Sequence, residues 1–355
     1  MGKYKLEYVW LDGYKPQKLR SKTKIVDLDN GIFTAEAFLT IYGWDGWSFD
    51  GSSTKQAEGK YSDLVIYPTK IIKNPLQENA FIGICEVLDP KTRKPHSSNT
   101  RVKVDEDWWF GFEQEYVFYS LEKENILGWP NDKSTTPAPQ GEYYCGVGGS
   151  NVAGREIVEE HLDACLKAGI DIKGVNAEVM LGQWEYQIFG KGTEAADDLW
   201  FSRYLLQRIA EKYGVGVDLR PKPMEGDWNG SGLHVNFSNT EMREKGGKKL
   251  FERICKKLGK THKEYIKHSG VGNELRLTGK HETQHIDKFT YGESDRGASI
   301  RIPYEVVAKD YKGYLEDRRP AANADPYKLI GLISDTLSIQ VQKNKEWKKQ
   351  LEVEL

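Results

Sequence analysis

Apolar positions along this chain follow two rhythms. From the N-terminus to about residue 90, short runs rich in aromatic and β-branched residues alternate with turn-forming clusters: LEYVWLD, SDLVIYP and AFIGICEVL. Such runs predict strands, and DNG at 29 to 31 predicts a turn. The polar, proline-containing stretch from Asp89 to Arg101 suits a crossing between two domains. Beyond it, helical spacing appears at Val158, Leu162 and Cys165 or Leu166 between Gly154 and Gly169, then from Glu194 to Tyr213, and again from about Lys248 to Lys267. Gly169 and Gly214 stand where the first two helices can stop. Residues 131–149 carry glycines and prolines without periodicity and read as a long ordered loop, a feature more often functional than idle.

Between the helices lie strands with an unusual polar face. In DWWFGFEQEYVFY, Phe110, Phe112, Tyr116 and Phe118 fall on one side, and Glu113 and Glu115 together on the other. In GQWEYQIFG, Trp184, Tyr186 and Ile188 alternate with Gln183, Glu185 and Gln187; in GSGLHVNFSN, Leu233, Val235 and Phe237 alternate with His234 and Asn236. The pattern returns around Tyr314, Glu316 and Arg318. Strands that are apolar toward helices and carry carboxylate or imidazole toward a cavity suit a hard divalent cation. Oxygen ligands with at most one imidazole select Mg²⁺ or Mn²⁺ over zinc. Arg276, Arg296, Arg301, Arg318 and Arg319 crowd the last eighty residues, and their planar forks suit carboxylate and phosphoryl oxygens. Metal carboxylates plus arginines point to phosphoryl transfer from a nucleotide. Neither GxxxxGK[ST] nor a strand-linked GxGxxG is present, which removes a P-loop and a dinucleotide fold.

Composition narrows the picture further. The 355 residues hold 51 Lys+Arg against 53 Asp+Glu, a net charge of −2, which argues against a nucleic-acid or anionic-membrane partner. Ten Trp, 19 Tyr and 12 Phe require a folded interior. No apolar run has membrane-spanning length and no basic-then-apolar leader opens the chain, so a soluble cytoplasmic protein is expected. The four cysteines, Cys85, Cys145, Cys165 and Cys255, show no metal-finger spacing and read as incidental thiols of a reducing compartment.

Taken in order, WSFDGSST (47–54), WFGFEQEY (109–116), PAPQGEYYCGVG (137–148), VNAEVMLGQWEYQ (175–187), KPMEGDWNGSGLHVNFSN (222–239), NELRLTGKHET (273–283), DRGASIRIP (295–303) and GYLEDRRPAANADPY (313–327) resemble the glutamine synthetases, in the shorter class typical of eukaryotes and some bacteria. The resemblance implies an α+β fold: a β-grasp-like N-terminal domain, 1–92, and a catalytic domain, 93–355, with a curved antiparallel sheet flanked by helices. It implies a homodecamer of two pentameric rings, with active sites between neighbouring subunits. By matching motifs, Glu115, Glu178 and Glu185 correspond to ligands of a first divalent cation, and Glu113, His234 and Glu316 to those of a second. Arg276 and Arg318 correspond to the clamp on glutamate, with Asn229 and Gly230 at its amino-acid end. The resemblance further implies that Arg296 and Arg301 would face the transferring phosphoryl group and the nucleotide phosphates, with Tyr314 at the ATP site. It implies that Asp50, from the adjacent subunit, would help bind ammonium and take its proton, and that Glu282 would lie on a closing flap. The implied reaction joins ammonia to glutamate with ATP and two or more Mg²⁺ or Mn²⁺ ions.

Leu181 stands where many relatives carry proline, and Glu142 where GPYY is usual; neither is a proposed ligand. Two other readings compete: ligation of a different amine to glutamate, and a catalytically silent structural protein. The first should alter the surroundings of Asp50 and Glu282, the second should lose a metal carboxylate, and all these residues are present.

Overall fold

The computed structural model describes residues 2–28, 46–132, 135–139 and 142–338. The DNG turn and the charged tail WKKQLEVEL lie outside the described residues. Two compact units separate: one runs from the N-terminus to Arg101 and includes Ala164–Ile170, and the other holds Val102–Asp163 and continues from Asp171.

The first unit is a five-stranded sheet. Its strands are β1 (Gly2–Leu11), β2 (Leu19–Leu28), β3 (Trp47–Asp50), β4 (Asp63–Lys73) and β5 (Ala80–Leu88), in the order β2-β1-β5-β4-β3. The central pair β1 and β5 runs parallel, Lys5 opposite Ala80 and Val9 opposite Ile84, and the other pairs are antiparallel. Alternate residues of β1, Tyr4, Leu6, Tyr8 and Trp10, share one face and pack with Phe49, Leu64, Ile66, Phe81 and Val87 into a single core. Pro68 has no amide hydrogen to give a partner strand; the ladder between β4 and β5 shifts register between Pro68 and Lys70.

The second unit is built on a nine-stranded sheet of β6 (Trp109–Ser120), β7 (Asn125–Ile126), β8 (Ile172–Ala177), β9 (Gln183–Lys191), β10 (Val215–Asp218), β11 (Leu233–Ser238), β12 (Tyr291–Glu293), β13 (Ile300–Ile302) and β14 (Leu315–Asp317). Its main path is β12-β13-β14-β11-β6-β9-β8, with β7 and β10 also pairing β6; only β12 and β13 run parallel. The long strand β6 is the spine because it can pair β9 over nine residues and β11 over six. The α+β class expected from the sequence is what the structure has, with helices flanking the curved sheet.

Helices cover the apolar face. They are α1 (Arg155–Lys167), α2 (Glu194–Lys212), α3 (Lys248–Lys260), α4 (His262–Lys267), α5 (Tyr304–Val307) and α6 (Pro326–Leu337). Phe110, Phe112, Tyr116 and Phe118 of β6, Trp184, Tyr186 and Ile188 of β9, and Leu233, Val235 and Phe237 of β11 are all buried. Burying each such side chain contributes about 1.5–3 kcal/mol, which is why the aromatic face and not strand propensity fixes the sheet's orientation. α6 starts where Asp325 accepts the amide of Tyr327 and Pro326 fills the first helical position. The single helix expected over Lys248 to Lys267 is instead two, α3 and α4, separated at Thr261, whose backbone leaves the helical range with φ −100° and ψ 8°.

Two polar contacts run beneath the apolar face. Gln114 falls on the aromatic side of β6, where the fully buried Arg203 of α2 donates from Nε to its Oε1 at 2.8 Å. Arg203 also donates to the carbonyls of Ala322 (2.9 Å) and Ala324 (3.0 Å), tying β6 to the segment after β14. Arg319, grouped by sequence with the phosphate-type arginines, faces the same interior: it holds Asp317 through Nε (2.9 Å) and Nη2 (2.6 Å), with its guanidinium 3.9 Å from the Tyr265 ring centroid.

Candidate active site

The opposite face of the same sheet carries the chemistry, because strand pleating sends odd residues of β6 away from the aromatic core. Glu113 lies opposite His234 of β11 and Gln187 of β9, and Glu115 lies opposite Glu185 of β9. Glu316 of β14 lies opposite Asn236 of β11 and Arg301 of β13. Cross-strand neighbours share a face, so register alone gathers residues more than two hundred positions apart.

Two ligand clusters result, each with donor atoms within 4.8 Å of one another: Glu113, His234 and Glu316, and Glu115, Glu185 and His234. His234 stands between them, Nδ1 lying 3.1 Å from Glu113 and 3.6 Å from Glu316, and Nε2 3.8 Å from Glu115. Glu178, at the end of β8, is outside both triplets, and its charge acts directly on Glu185. Burial, followed by the charge of Glu115, raises the Glu178 carboxyl; burial, followed by Glu113, Glu115 and Glu178, raises Glu185. Glu115 is also raised by burial, against the opposing pull of Arg276. Four carboxylates crowded in a dry place repel, and a divalent cation removes that repulsion. Burial holds His234 well below the usual histidine range, with Arg318 and Arg276 acting the same way. It is therefore neutral, as a ligand imidazole must be. The donor set of carboxylates and one imidazole fits Mg²⁺ or Mn²⁺.

Neighbouring amides hold these carboxylates in place. Glu113 accepts from Asn236 (2.7 Å), Glu185 from Gln187 (2.5 Å), and Glu178 from Asn176 (3.1 Å) and the amide of Val179 (3.0 Å). Glu115 accepts from the backbone of Gly232 (2.8 Å) and from Gln183 (3.3 Å). Asn176 was not singled out from the sequence, yet its place on β8 opposite Glu185 is the same cross-strand signal.

The arginines gather on the β13–β14 side. Arg301 and Arg318 each bond one oxygen of Glu316 at 2.5 Å. Arg276 donates from Nη1 to the carbonyls of Arg318 (3.2 Å) and Arg319 (3.4 Å), and its Nη2 lies 3.2 Å from His234 Nε2. Asn229 has a buried Oδ1 without a hydrogen-bond partner, and Gly230 lets the chain pass where a Cβ would sit 2.8 Å from Arg276 Cγ. Arg296 is exposed, its carbonyl accepting from Arg318 Nε at 3.0 Å. Tyr314 donates to Glu305 at 2.7 Å, and Arg301 keeps a buried Nε without a partner.

Glu282 is exposed on the segment between η-turn residues 273–275 and β12, where His281 and Glu282 adopt consecutive positive φ values of 52° and 58°. Two adjacent non-glycine residues in the left-handed region store backbone strain of the kind found in functional loops. Asp50 belongs to the first unit. It is exposed at the end of β3, caps the turn Gly51–Thr54, and is held below the usual carboxylate range by the hydroxyls of Ser52 and Ser53, each at 2.7 Å.

An α+β fold whose sheet presents two carboxylate–imidazole clusters beside arginines defines a metal-dependent enzyme for anionic substrates. Residues 98–268 match the family model described as glutamine synthetase, catalytic domain. The chain is 50% identical over 345 residues to a glutamine synthetase of Bradyrhizobium diazoefficiens, covering 95% of this chain and 97% of that one. It is 51% identical over 337 residues to one of Rhizobium meliloti (93% and 99% covered) and 48% identical over 351 residues to a chloroplastic one of Chlamydomonas reinhardtii (93% and 90% covered). The chain belongs to the glutamine synthetase family.

Proposed function

We propose that this protein ligates ammonia to the side-chain carboxylate of L-glutamate, giving L-glutamine, ADP and phosphate. The observation that carries the proposal is the pair of clusters sharing His234, with Arg276, Arg301 and Arg318 beside them. In this reading Glu115, Glu178 and Glu185 hold one Mg²⁺ or Mn²⁺ ion, and Glu113, His234 and Glu316 hold another. The ions neutralise negative charge on ATP and on the carboxylate under attack.

Carboxylates are poor electrophiles. An oxygen of the glutamate side chain therefore attacks the γ-phosphorus of ATP, the bond to the ADP oxygen breaks, and γ-glutamyl phosphate forms. Arg296 and Arg301 neutralise the phosphoryl oxygens; Arg276, Arg318 and the Asn229–Gly230 backbone orient the amino acid; Tyr314 belongs to the nucleotide side. Ammonium is not a nucleophile until it loses a proton. Asp50, kept ionised by its serine hydroxyls, and Glu282 are the two carboxylates for that task. Ammonia then attacks the acyl carbon and phosphate leaves, while the flap around Glu282 keeps out the water that would hydrolyse the same intermediate.

The family resemblance supports a decamer of two pentameric rings, working in the cytoplasm, in which Asp50 of one subunit serves its neighbour's sheet. The test omits glutamate and ammonium in turn from purified protein with ATP and Mg²⁺, and measures ADP, phosphate and glutamine. Glutamine equal to phosphate only when both are present supports the reaction. Glutamate-dependent ADP release that ammonium fails to convert points to another amine, and complete silence of a folded oligomer overturns the proposal.

A further inference from the structure

The flap carrying Glu282 is fastened at both ends. Its start is closed by Thr283 Oγ1, which donates to the carbonyls of Arg276 (3.1 Å) and Lys280 (2.8 Å), and by the amide of Ile286, which donates to Leu277 (2.9 Å). Its end is held from below by His262, the first residue of α4, whose Nε2 donates to the Ile286 carbonyl at 2.8 Å. With Nε2 carrying the proton, Nδ1 is an acceptor, and Arg319 Nη1 lies 3.4 Å from it.

Arg319 leads directly back to the substrate arginines. Its carbonyl accepts from Asn273 (2.8 Å) and Arg276 (3.4 Å), its Nε and Nη2 donate to Asp317, and the adjacent Arg318 reaches the Glu282 carbonyl with Nη2 at 3.4 Å. His262 is buried at 6% exposure, with its ring 5.6 Å from that of Phe289. The room for Phe289 comes from Gly259, where a Cβ would lie 2.9 Å from the ring. The break at Thr261 that splits α3 from α4 falls immediately before this imidazole. A continuous helix was the sequence expectation; the break puts a histidine under the flap.

We propose that His262 is a positioning residue for the flap, joining the Ile286 backbone to Arg319 and so fixing how tightly the Glu282 segment closes over the reacting acyl phosphate. The inference rests on the ligation reaction proposed above. Nothing in it requires His262 to touch substrate. Its consequence is selective: loosening the flap admits water, so ATP is consumed without glutamine being made.

The experiment compares His262→Leu, which removes donor and acceptor, with His262→Gln, whose amide nitrogen reaches the position of Nε2 and can donate to the Ile286 carbonyl. The ratio of phosphate released to glutamine formed at saturating substrates is measured with the KM for ammonium. In His262→Leu the ratio rises roughly two-fold or more over wild type and the ammonium KM rises roughly ten-fold, while the glutamate KM stays within about two-fold. His262→Gln restores the wild-type ratio. A purely structural role would lower kcat without moving the ratio, so an unchanged ratio in His262→Leu overturns the proposal, as does a His262→Gln variant as leaky as His262→Leu. Should His262→Leu fail to fold, Phe289→Leu, which removes the ring that pins the imidazole, should raise the ratio in the same direction, and an unchanged ratio there is equally fatal. Amide hydrogen exchange at 277–286, faster in the leucine variants than in wild type, tests the contact without turnover. A wild type that makes no glutamine therefore defeats the reaction proposal, whereas unchanged exchange defeats this one.

Discussion

Gly232 offers the sharpest test of the proposed glutamate clamp. It precedes β11, its amide donates to Glu115 at 2.8 Å, and its φ lies outside the left-handed region, so alanine brings no backbone strain. What alanine brings is a Cβ placed 2.4 Å from Arg276 Nη2 and 2.9 Å from its Cζ. Ordinary contact begins near 3.4 Å, so the guanidinium must withdraw by about the difference, 1 Å. That movement breaks the 3.2 Å contact of Nη2 with His234 and stretches those of Nη1 to the carbonyls of Arg318 and Arg319. Hydrogen bonds from a charged group contribute about 1.5–3 kcal/mol each, so losing one to two of them costs about 3 kcal/mol. If Arg276 grips the glutamate carboxylate, kcat/KM for glutamate falls roughly a hundred-fold. Steady-state assays with glutamate varied at saturating ATP and Mg²⁺ measure this, with KM for ATP expected to stay within about two-fold. The double variant Gly232→Ala/Arg276→Ala should lose no more than Arg276→Ala alone, because both changes remove the same contact. An unchanged glutamate dependence in Gly232→Ala, or fully additive losses, would refute the reasoning.

Other predictions follow from the buried groups. Arg203→Met strands Gln114 Oε1 and the carbonyls of Ala322 and Ala324 in the interior. It should cost about 3–5 kcal/mol in chemical denaturation; a loss below about 1 kcal/mol contradicts the role assigned to the guanidinium. Glu185→Gln replaces a carboxyl whose ionisation is opposed first by burial and then by Glu113, Glu115 and Glu178 with a group that has no proton to take up on folding. The metal-free protein should melt higher while its Mn²⁺ affinity, read by calorimetry, falls roughly ten-fold or more. The pH dependence has a definite sign: burial chiefly raises Glu178 to about 8 and Glu185 to about 10, from 4.5. Between these limits the unfolded chain binds fewer protons than the folded one, so these groups make metal-free stability fall as pH rises. Divalent cations should release protons on binding and cancel that slope. Melting temperatures that show the same pH slope in metal-free wild type and Glu185→Gln would count against it. Asp50→Asn should raise the ammonium requirement and leave the glutamate dependence unchanged, and an unaltered ammonium KM removes Asp50 from the amine site.

Much of the catalytic sheet can be read from single strands. The two-residue period in β6, β9 and β11 separates aromatic from carboxylate faces without any knowledge of neighbours, and the chemistry of Glu113, Glu115, Glu185 and His234 follows from that separation. What a strand cannot reveal is its partner. The parallel pairing of β1 with β5, and the register that brings Glu316 beside Arg301, depend on long-range packing. Arg319 is a different case, since the signal was present: Glu316 and Arg318 share one parity, Asp317 and Arg319 the other, and the second pair turns inward. Gln114 likewise breaks the aromatic parity of β6 because Arg203 satisfies it, a partner ninety residues away in sequence that no periodicity announces. Thr261 interrupts a pattern of apolar residues too regular to betray a one-residue break.

The same two interior pairs explain how the sheet tolerates its own active face. Gathering Glu113, Glu115, Glu178 and Glu185 in a poorly hydrated place opposes folding, since burial and neighbouring charge raise Glu115, Glu178 and Glu185. Strand β6 carries two of these carboxylates and is fixed from behind the sheet. Arg203 bonds Gln114 on β6 and the two carbonyls that follow β14, while Asp317 and Arg319 lock β14 to the helical layer beneath it. Both anchors sit one residue from a proposed ligand: Gln114 lies between Glu113 and Glu115, and Asp317 follows Glu316. In a strand one residue is a change of face, so the closest point from which to hold a ligand without competing for the metal is the next residue, bonded on the other side. Rigid support of that kind holds the donor atoms of each cluster within 4.8 Å of one another. A divalent cation held by these carboxylates would relieve their repulsion, so the anchors behind the sheet and the metal in front of it oppose the same force from two sides.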